Sequence, residues 1–169
     1  MDIEKAIKTA IEFETKVRDV YAGAAGAAVD EAGRKIFKAL ADEEQHHLDY
    51  LRSRLQLWQK EGRLVAEKLE TVIPARKVIE GGLKKLAGHM KEADRGAELQ
   101  MLMKALDVEI ETSNFYRLMV GELKAEPQKM FARFLEIEEG HQAIVKAEIN
   151  TLTKMGVWFD FLEFDLEAS

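Results

Sequence analysis

The sequence predicts an all-α protein: a four-helix bundle with one long crossover between the second and third helices. Three observations carry this. Apolar residues recur at spacings of three and four along four long stretches, the pattern of amphipathic helices. Only 2 prolines occur in 169 residues, and no run of Gly or Ser breaks the stretches. The connections marked by glycine and proline run short, long, short.

The first helix carries the stripe Ile3, Ile7, Ala10, Glu14, Val17 and Tyr21. Gly23, Gly26 and Gly33 then mark a turn region. The second stripe is Ile36, Leu40, Glu44, His47, Leu51, Leu55 and Trp58. A long stretch follows, about Gly62 to Asp94, with Pro74, Gly81, Gly82 and Gly88 and a short helix expected from Ala75. The third stripe is Leu102, Ala105, Glu109, Thr112, Tyr116 and Met119. Gly121 and Pro127 bracket a short link, and Pro127 suits the first turn of the fourth helix. The fourth stripe is Phe131, Phe134, Glu138, His141, Val145, Glu148 and Leu152. A short link, a long crossover and a second short link form the ferritin-like arrangement rather than a simple up-down bundle. Residues 1–156 are read as this bundle, with the crossover at about 62–94. Residues 157–169 form a tail of aromatic and acidic residues, expected to be buried on the bundle or in a dimer interface.

The whole chain sets limits on function. At 169 residues one domain with a substantial core is expected. A net charge of −6 without a basic stripe argues against nucleic acid as a partner. No stretch approaches the roughly 18 apolar residues of a membrane span. Met1-Asp2-Ile3-Glu4 does not read as a signal peptide, so a cytoplasmic protein is expected. With 0 cysteines there is no disulfide, no zinc-thiolate site and no iron–sulfur centre within these residues.

Each apolar stripe contains a Glu, and two of them also contain a His. Glu44 and His47, like Glu138 and His141, stand three residues apart, so each pair shares a helix face. Glu14 and Glu109 each precede a Tyr by seven residues, Tyr21 and Tyr116. The two halves align at offsets that agree to within one residue, which reads as an internal duplication with an approximate two-fold axis. One buried carboxylate costs several kcal/mol or more unless it is paired, protonated or bound to metal. A single Glu-x-x-His is more often a solvated helix face. Four in-phase Glu with two in-phase His are hard to bury without a cation. Four carboxylates against two divalent ions give a near-neutral site, and hard oxygen with imidazole donors favours iron or manganese. In this reading Glu44 and Glu138 bridge two ions, His47 and His141 serve one ion each, and Glu14 and Glu109 cap them. Glu43 and His46 share the spacing but lie off the seam, and His89 has no matching Glu. Tyr21 and Tyr116 are either core aromatics or hydrogen-bond donors to metal-bound carboxylates.

At Phe13-Glu14…Tyr21, Ala41-Asp42-Glu43-Glu44-Gln45-His46-His47, Val108-Glu109…Phe115-Tyr116 and Glu138-Glu139-Gly140-His141 the chain resembles the rubrerythrin-like branch of the ferritin-like superfamily. The resemblance covers about residues 3–155. It implies a di-iron centre held by Glu14, Glu44, His47, Glu109, Glu138 and His141, with Tyr21 and Tyr116 beside it, that reacts with hydrogen peroxide or oxygen. Manganese or zinc could occupy the same donors. The implied enzyme is a peroxidase-type oxidoreductase of oxidative stress, a homodimer with an external electron donor such as a rubredoxin-type protein. The other reading is a ferroxidase or iron-storage protein. Two features depart from the family. The four-Cys rubredoxin domain has no counterpart, and where rubrerythrins have a further Glu one turn after the third-helix ligand, this chain has Thr112, with Glu111 out of phase.

Overall fold

The structure, a computed structural model, describes residues 1–83 and 96–161. Five α-helices and no strand occur among the described residues: α1 (Ile3–Ala27), α2 (Glu31–Glu61), α3 (Arg76–Leu83), α4 (Gly96–Glu122) and α5 (Ala125–Met155). Four of them are long, and they pack α1 on α2, α4 on α5 and α1 on α4, while the short α3 lies on α5. No helix among the described residues is long and apolar enough to cross a membrane.

The first link is shorter than the glycines suggest. Gly23 and Gly26 lie inside α1 and Gly33 inside α2, leaving only Ala28–Asp30 as the turn. A helical glycine costs about 1 kcal/mol relative to alanine, and packing of Ala24 and Ala28 into the core overrides that local preference. Asp30 caps α2 by accepting the Ala32 N–H. From α4, the buried Glu98 accepts the Val29 and Asp30 N–H groups at 2.9 Å each, which satisfies turn donors that lie outside both helices. Gly33 has a role of its own: a Cβ there would sit 2.5 Å from the Trp158 ring. Gly121 belongs to α4, and Pro127 occupies the first turn of α5.

The core falls into two apolar clusters separated by a polar layer. One holds Val17, Tyr21, Phe37, Leu40, Leu102, Ala105, Val145 and Leu152. The other holds Ile7, Ala10, Leu51, Tyr116, Met119, Phe131 and Phe134. On every long helix a carboxylate stands between them: Glu14, Glu44, Glu109 and Glu138, all fully buried. The second stripe drifts. Leu55 and Trp58 are half-buried, and Arg54 takes the inward position.

The correspondence between the two halves reaches past the in-phase Glu and His residues into the segments after α2 and α5. Gly62 and Gly156 close these helices with left-handed φ of 66° and 67°. Beyond each cap, a charged residue of the helix grips the returning backbone. The Arg54 guanidinium donates to the Val65 carbonyl at 3.0 Å, and the Glu148 carboxylate accepts the Phe159 N–H at 2.8 Å. These two contacts occupy equivalent positions of the repeat with the charge reversed. The Glu148 contact brings the start of the tail onto the bundle. Val157, Trp158, Phe159 and Phe161 are buried, with Trp158 edge-on to Phe37, so the surface that covers them belongs to the same chain. Residues 162–169 lie outside the described residues.

Candidate metal centre

The six in-phase residues converge in the polar layer. They form two groups of potential ligands: Glu14, Glu44, His47 and Glu138, and Glu44, Glu109, Glu138 and His141. Within each group the donor atoms lie within 4.8 Å of one another. His47 Nδ1 is 3.1 Å from Glu14 Oε2, 3.0 Å from Glu44 Oε2 and 3.3 Å from Glu138 Oε1. His141 Nδ1 is 2.7 Å from Glu44 Oε1, 3.5 Å from Glu109 Oε1 and 3.7 Å from Glu138 Oε2. Glu44 and Glu138 thus give one oxygen to each group, and Glu14 and Glu109 serve one group each. The imidazoles are stacked, 5.4 Å between centroids and 7° from parallel.

The donor set fits metal better than it fits itself. Both oxygens of Glu44 and of Glu138, Glu109 Oε2 and His141 Nδ1 are buried and make no hydrogen bond among the described residues. Buried polar atoms rarely stay unpaired. These atoms are close to one another, yet not along hydrogen-bond directions, as expected of lone pairs aimed at a common centre.

The electrostatics carry the same message. Burial, then the Glu44 charge, pushes the Glu14 carboxyl up to about 8. Burial, then the charges of Glu44, Glu109 and Glu14, raises Glu138 well above the usual carboxylate range. Burial opposes protonation of the imidazoles, but the charges of Glu14 and Glu44 hold His47 well above its ordinary value, and those of Glu138 and Glu44 do the same for His141. Burial works against ionised Glu44 too, and the two imidazoles outweigh it. Without a cation the cluster must keep protons to remain buried.

The tyrosines reach across the repeat. The Tyr21 hydroxyl of α1 donates to Glu109 of α4, and the Tyr116 hydroxyl of α4 donates to Glu14 of α1. Both are fully buried, and burial, followed by the charge of the carboxylate each one touches, raises their pKa well above the phenol value. Each outer carboxylate therefore has one oxygen held by the opposite half.

His46 is exposed and outside the cluster, and His89 lies outside the described residues. Thr112 is buried and donates to the Val108 carbonyl, whereas Glu111 is exposed and pairs with Lys16. Glu43, although off the seam, is buried at 5% exposure. It faces the segment before α3, accepting the Thr71 hydroxyl at 2.6 Å and the Val72 N–H at 3.0 Å, and its Oε2 lies 3.9 Å from His141 Nε2. A buried helical stripe is more than one residue wide, so a position beside the seam is covered wherever a neighbouring segment crosses it. Gly140 leaves room for that crossing: a Cβ there would stand 3.2 Å from the Pro74 carbonyl.

No protein-family model, no curated protein and no solved structure matches this chain. Its function is therefore read from its own residues.

Proposed function

We propose that this chain is a non-haem di-iron oxidoreductase of the rubrerythrin-like kind, built on a ferritin-like bundle with a long crossover, that reduces hydrogen peroxide or oxygen with electrons from an external donor. The observation that carries the reading is the pair of four-residue groups sharing Glu44 and Glu138. Two carboxylates each divided between two groups call for two ions, not one. Oxygen and imidazole donors without thiolate suit iron or manganese over softer metals.

Bound iron would supply electrons and Lewis acidity. The chain supplies the rest. Glu44 and Glu138 would serve both ions, His47 and His141 one each, and Glu14 and Glu109 one each. Four protein donors per ion leave coordination room for a small oxidant. These residues are fully buried between two apolar clusters, which excludes bulk water. Tyr21 and Tyr116 keep Glu109 and Glu14 from turning away. These residues contain 0 cysteines and so hold no thiolate-bound iron, and in this reading the electrons come from a rubredoxin-type donor.

The test is anaerobic reconstitution with ferrous iron, a metal count, and stopped-flow absorbance on mixing with peroxide or with oxygen. About two irons per chain and a faster ferric band with peroxide support the reading. Faster oxidation by oxygen, with loading far beyond two irons, replaces it with ferroxidase or storage chemistry. No metal uptake refutes both.

A further inference from the structure

The two imidazoles have a second nitrogen each, and the six-residue cluster does not use it. Nδ1 of His47 and of His141 faces the carboxylates of that cluster. Nε2 of each is buried and has no hydrogen-bond partner among the described residues. A buried nitrogen seldom stays unpaired. Glu43 stands within reach of both rings. One donor atom each of Glu43, His47 and His141 lies within 4.8 Å of the other two, and all three residues are buried. Glu43 Oε2 is 3.9 Å from His141 Nε2, a separation open to two ligands that each lie about 2.0–2.1 Å from one ion. The residue before Glu138 in the other half is Ile137, so the repeat supplies this carboxylate once.

A neutral imidazole carries one proton and offers one lone pair, on the other nitrogen. His47 Nδ1 is hydrogen-bonded to Glu14 Oε2 at 3.1 Å, and His141 Nδ1 lies 2.7 Å from Glu44 Oε1. A proton on Nδ1 thus has a carboxylate beside it in both rings, and the lone pair is then on Nε2. Metal-bound imidazoles are held in this way, with the far N–H against a carboxylate. The third donor is fixed as well. Thr71 and Val72 each donate to one oxygen of Glu43. A carboxylate oxygen has a second lone pair, and metal-ligating carboxylates commonly accept such bonds.

We propose that Glu43, His47 and His141 form a second metal site, for a single divalent ion of the zinc class, bound through both Nε2 atoms and a Glu43 oxygen. Two imidazoles and one carboxylate make a zinc donor set with a fourth position open to water. Two nitrogens on one ion favour zinc or copper over manganese and iron. The site excludes the pair described above, because an imidazole that gives Nε2 to this ion keeps its proton on Nδ1. On the di-iron reading, one zinc ion here withdraws both imidazoles from two irons, so the chain holds one zinc-class ion or the pair.

The test counts imidazoles on one ion. The full chain carries His46→Gln and His89→Gln, which leaves His47 and His141 as its imidazoles. Metal-free protein receives copper(II) below one equivalent, and pulsed electron paramagnetic resonance counts the imidazoles on each copper. Two are expected, and zinc should displace the copper at one equivalent. The pair described above gives one imidazole per ion. Adding Glu43→Gln should lose the two-imidazole signal, with circular dichroism checking the fold. One imidazole per copper before that change, or two that persist after it, would overturn this inference and leave the di-iron reading standing. No uptake of copper, zinc or ferrous iron would end both. If Glu43→Gln does not fold, anomalous diffraction from wild-type crystals holding one equivalent of zinc decides. Zinc against Glu43 supports the site, and zinc between Glu44 and Glu138 overturns it.

Discussion

Loading the centre with metal should release protons. In the metal-free cluster the surrounding carboxylates raise both imidazoles well above their ordinary value. Burial and neighbouring charge push Glu14 up to about 8 and raise Glu138 well above its usual range. Divalent ions need deprotonated ligands, so the protons that this cluster holds must leave as metal binds. Stability follows with a definite sign. The raised imidazoles stabilise the metal-free fold at low pH, and that contribution is lost as pH rises through their folded values. The raised carboxyls add a penalty that is absent below their ordinary value of 4.5 and grows toward about 8 for Glu14. Both effects weaken the metal-free fold as pH rises, while metal binding strengthens. At free metal about 100 times Kd, each ion stabilises the fold by about 2.7 kcal/mol. At about 2–4 °C per kcal/mol for a chain of this size, that raises Tm by about 5–11 °C per ion. Calorimetric titration at pH 7 in two buffers of different ionisation heat counts the protons. Melting of the metal-free and loaded forms from pH 6 to 9 measures the widening gap. Release of fewer than about one proton per ion, or a gap independent of pH, would refute the reasoning, because it would mean that the buried cluster tolerates its charge without a cation.

Three further outcomes are expected. Tyr116→Phe leaves a buried oxygen of Glu14 without its donor, a loss of about 1–3 kcal/mol in the metal-free protein seen by denaturant unfolding; the loss should shrink when metal occupies that carboxylate. Glu148 is raised well above the usual carboxylate range by burial, partly offset by the Phe159 N–H. Its penalty is absent at acid pH and grows as pH rises, so Glu148→Gln in the loaded protein should match wild type near pH 4.5 and melt higher at pH 8; equal curves throughout would show that the group is not buried as described. Gly33→Ala forces a Cβ to within 2.5 Å of the Trp158 ring, an overpacking cost of about 1–3 kcal/mol. Thermal unfolding together with tryptophan fluorescence would reveal it, and an unchanged spectrum would remove Trp158 from that contact.

Much of the fold is legible in the sequence because a buried helix face repeats every three or four residues. A carboxylate on that face is visible as a break in an apolar series, so Glu14, Glu44, Glu109 and Glu138 stand out from the pattern alone. Their partners across the repeat can be named from it only by type. The seven-residue spacing places Tyr116 on the stripe of Glu109, yet its hydroxyl goes to Glu14, because side chains facing inward from one helix meet those of the next. The first turn departs from expectation for a related reason: glycine reports local preference, and Gly23 and Gly26 remain helical where the surrounding alanines are packed.

Other features depend on segments distant in the chain. Glu43 is adjacent to Glu44 in sequence and outside the apolar stripe, and nothing in the local pattern distinguishes it from a solvated residue. It is buried because residues 71–74 cross over it, held close by the missing side chain of Gly140. Glu148 is visible as an inward carboxylate but not as the acceptor for Phe159, and Arg54 carries no hint that it mirrors that contact. Periodicity belongs to a single helix, and from it the sequence by itself determined the helices and the inward-facing carboxylates and imidazoles. Which carboxylates lie in both groups, which tyrosine holds which oxygen, and which segment covers Glu43 were decided only by the tertiary structure, because each is a relation between surfaces that meet only after the helices pack.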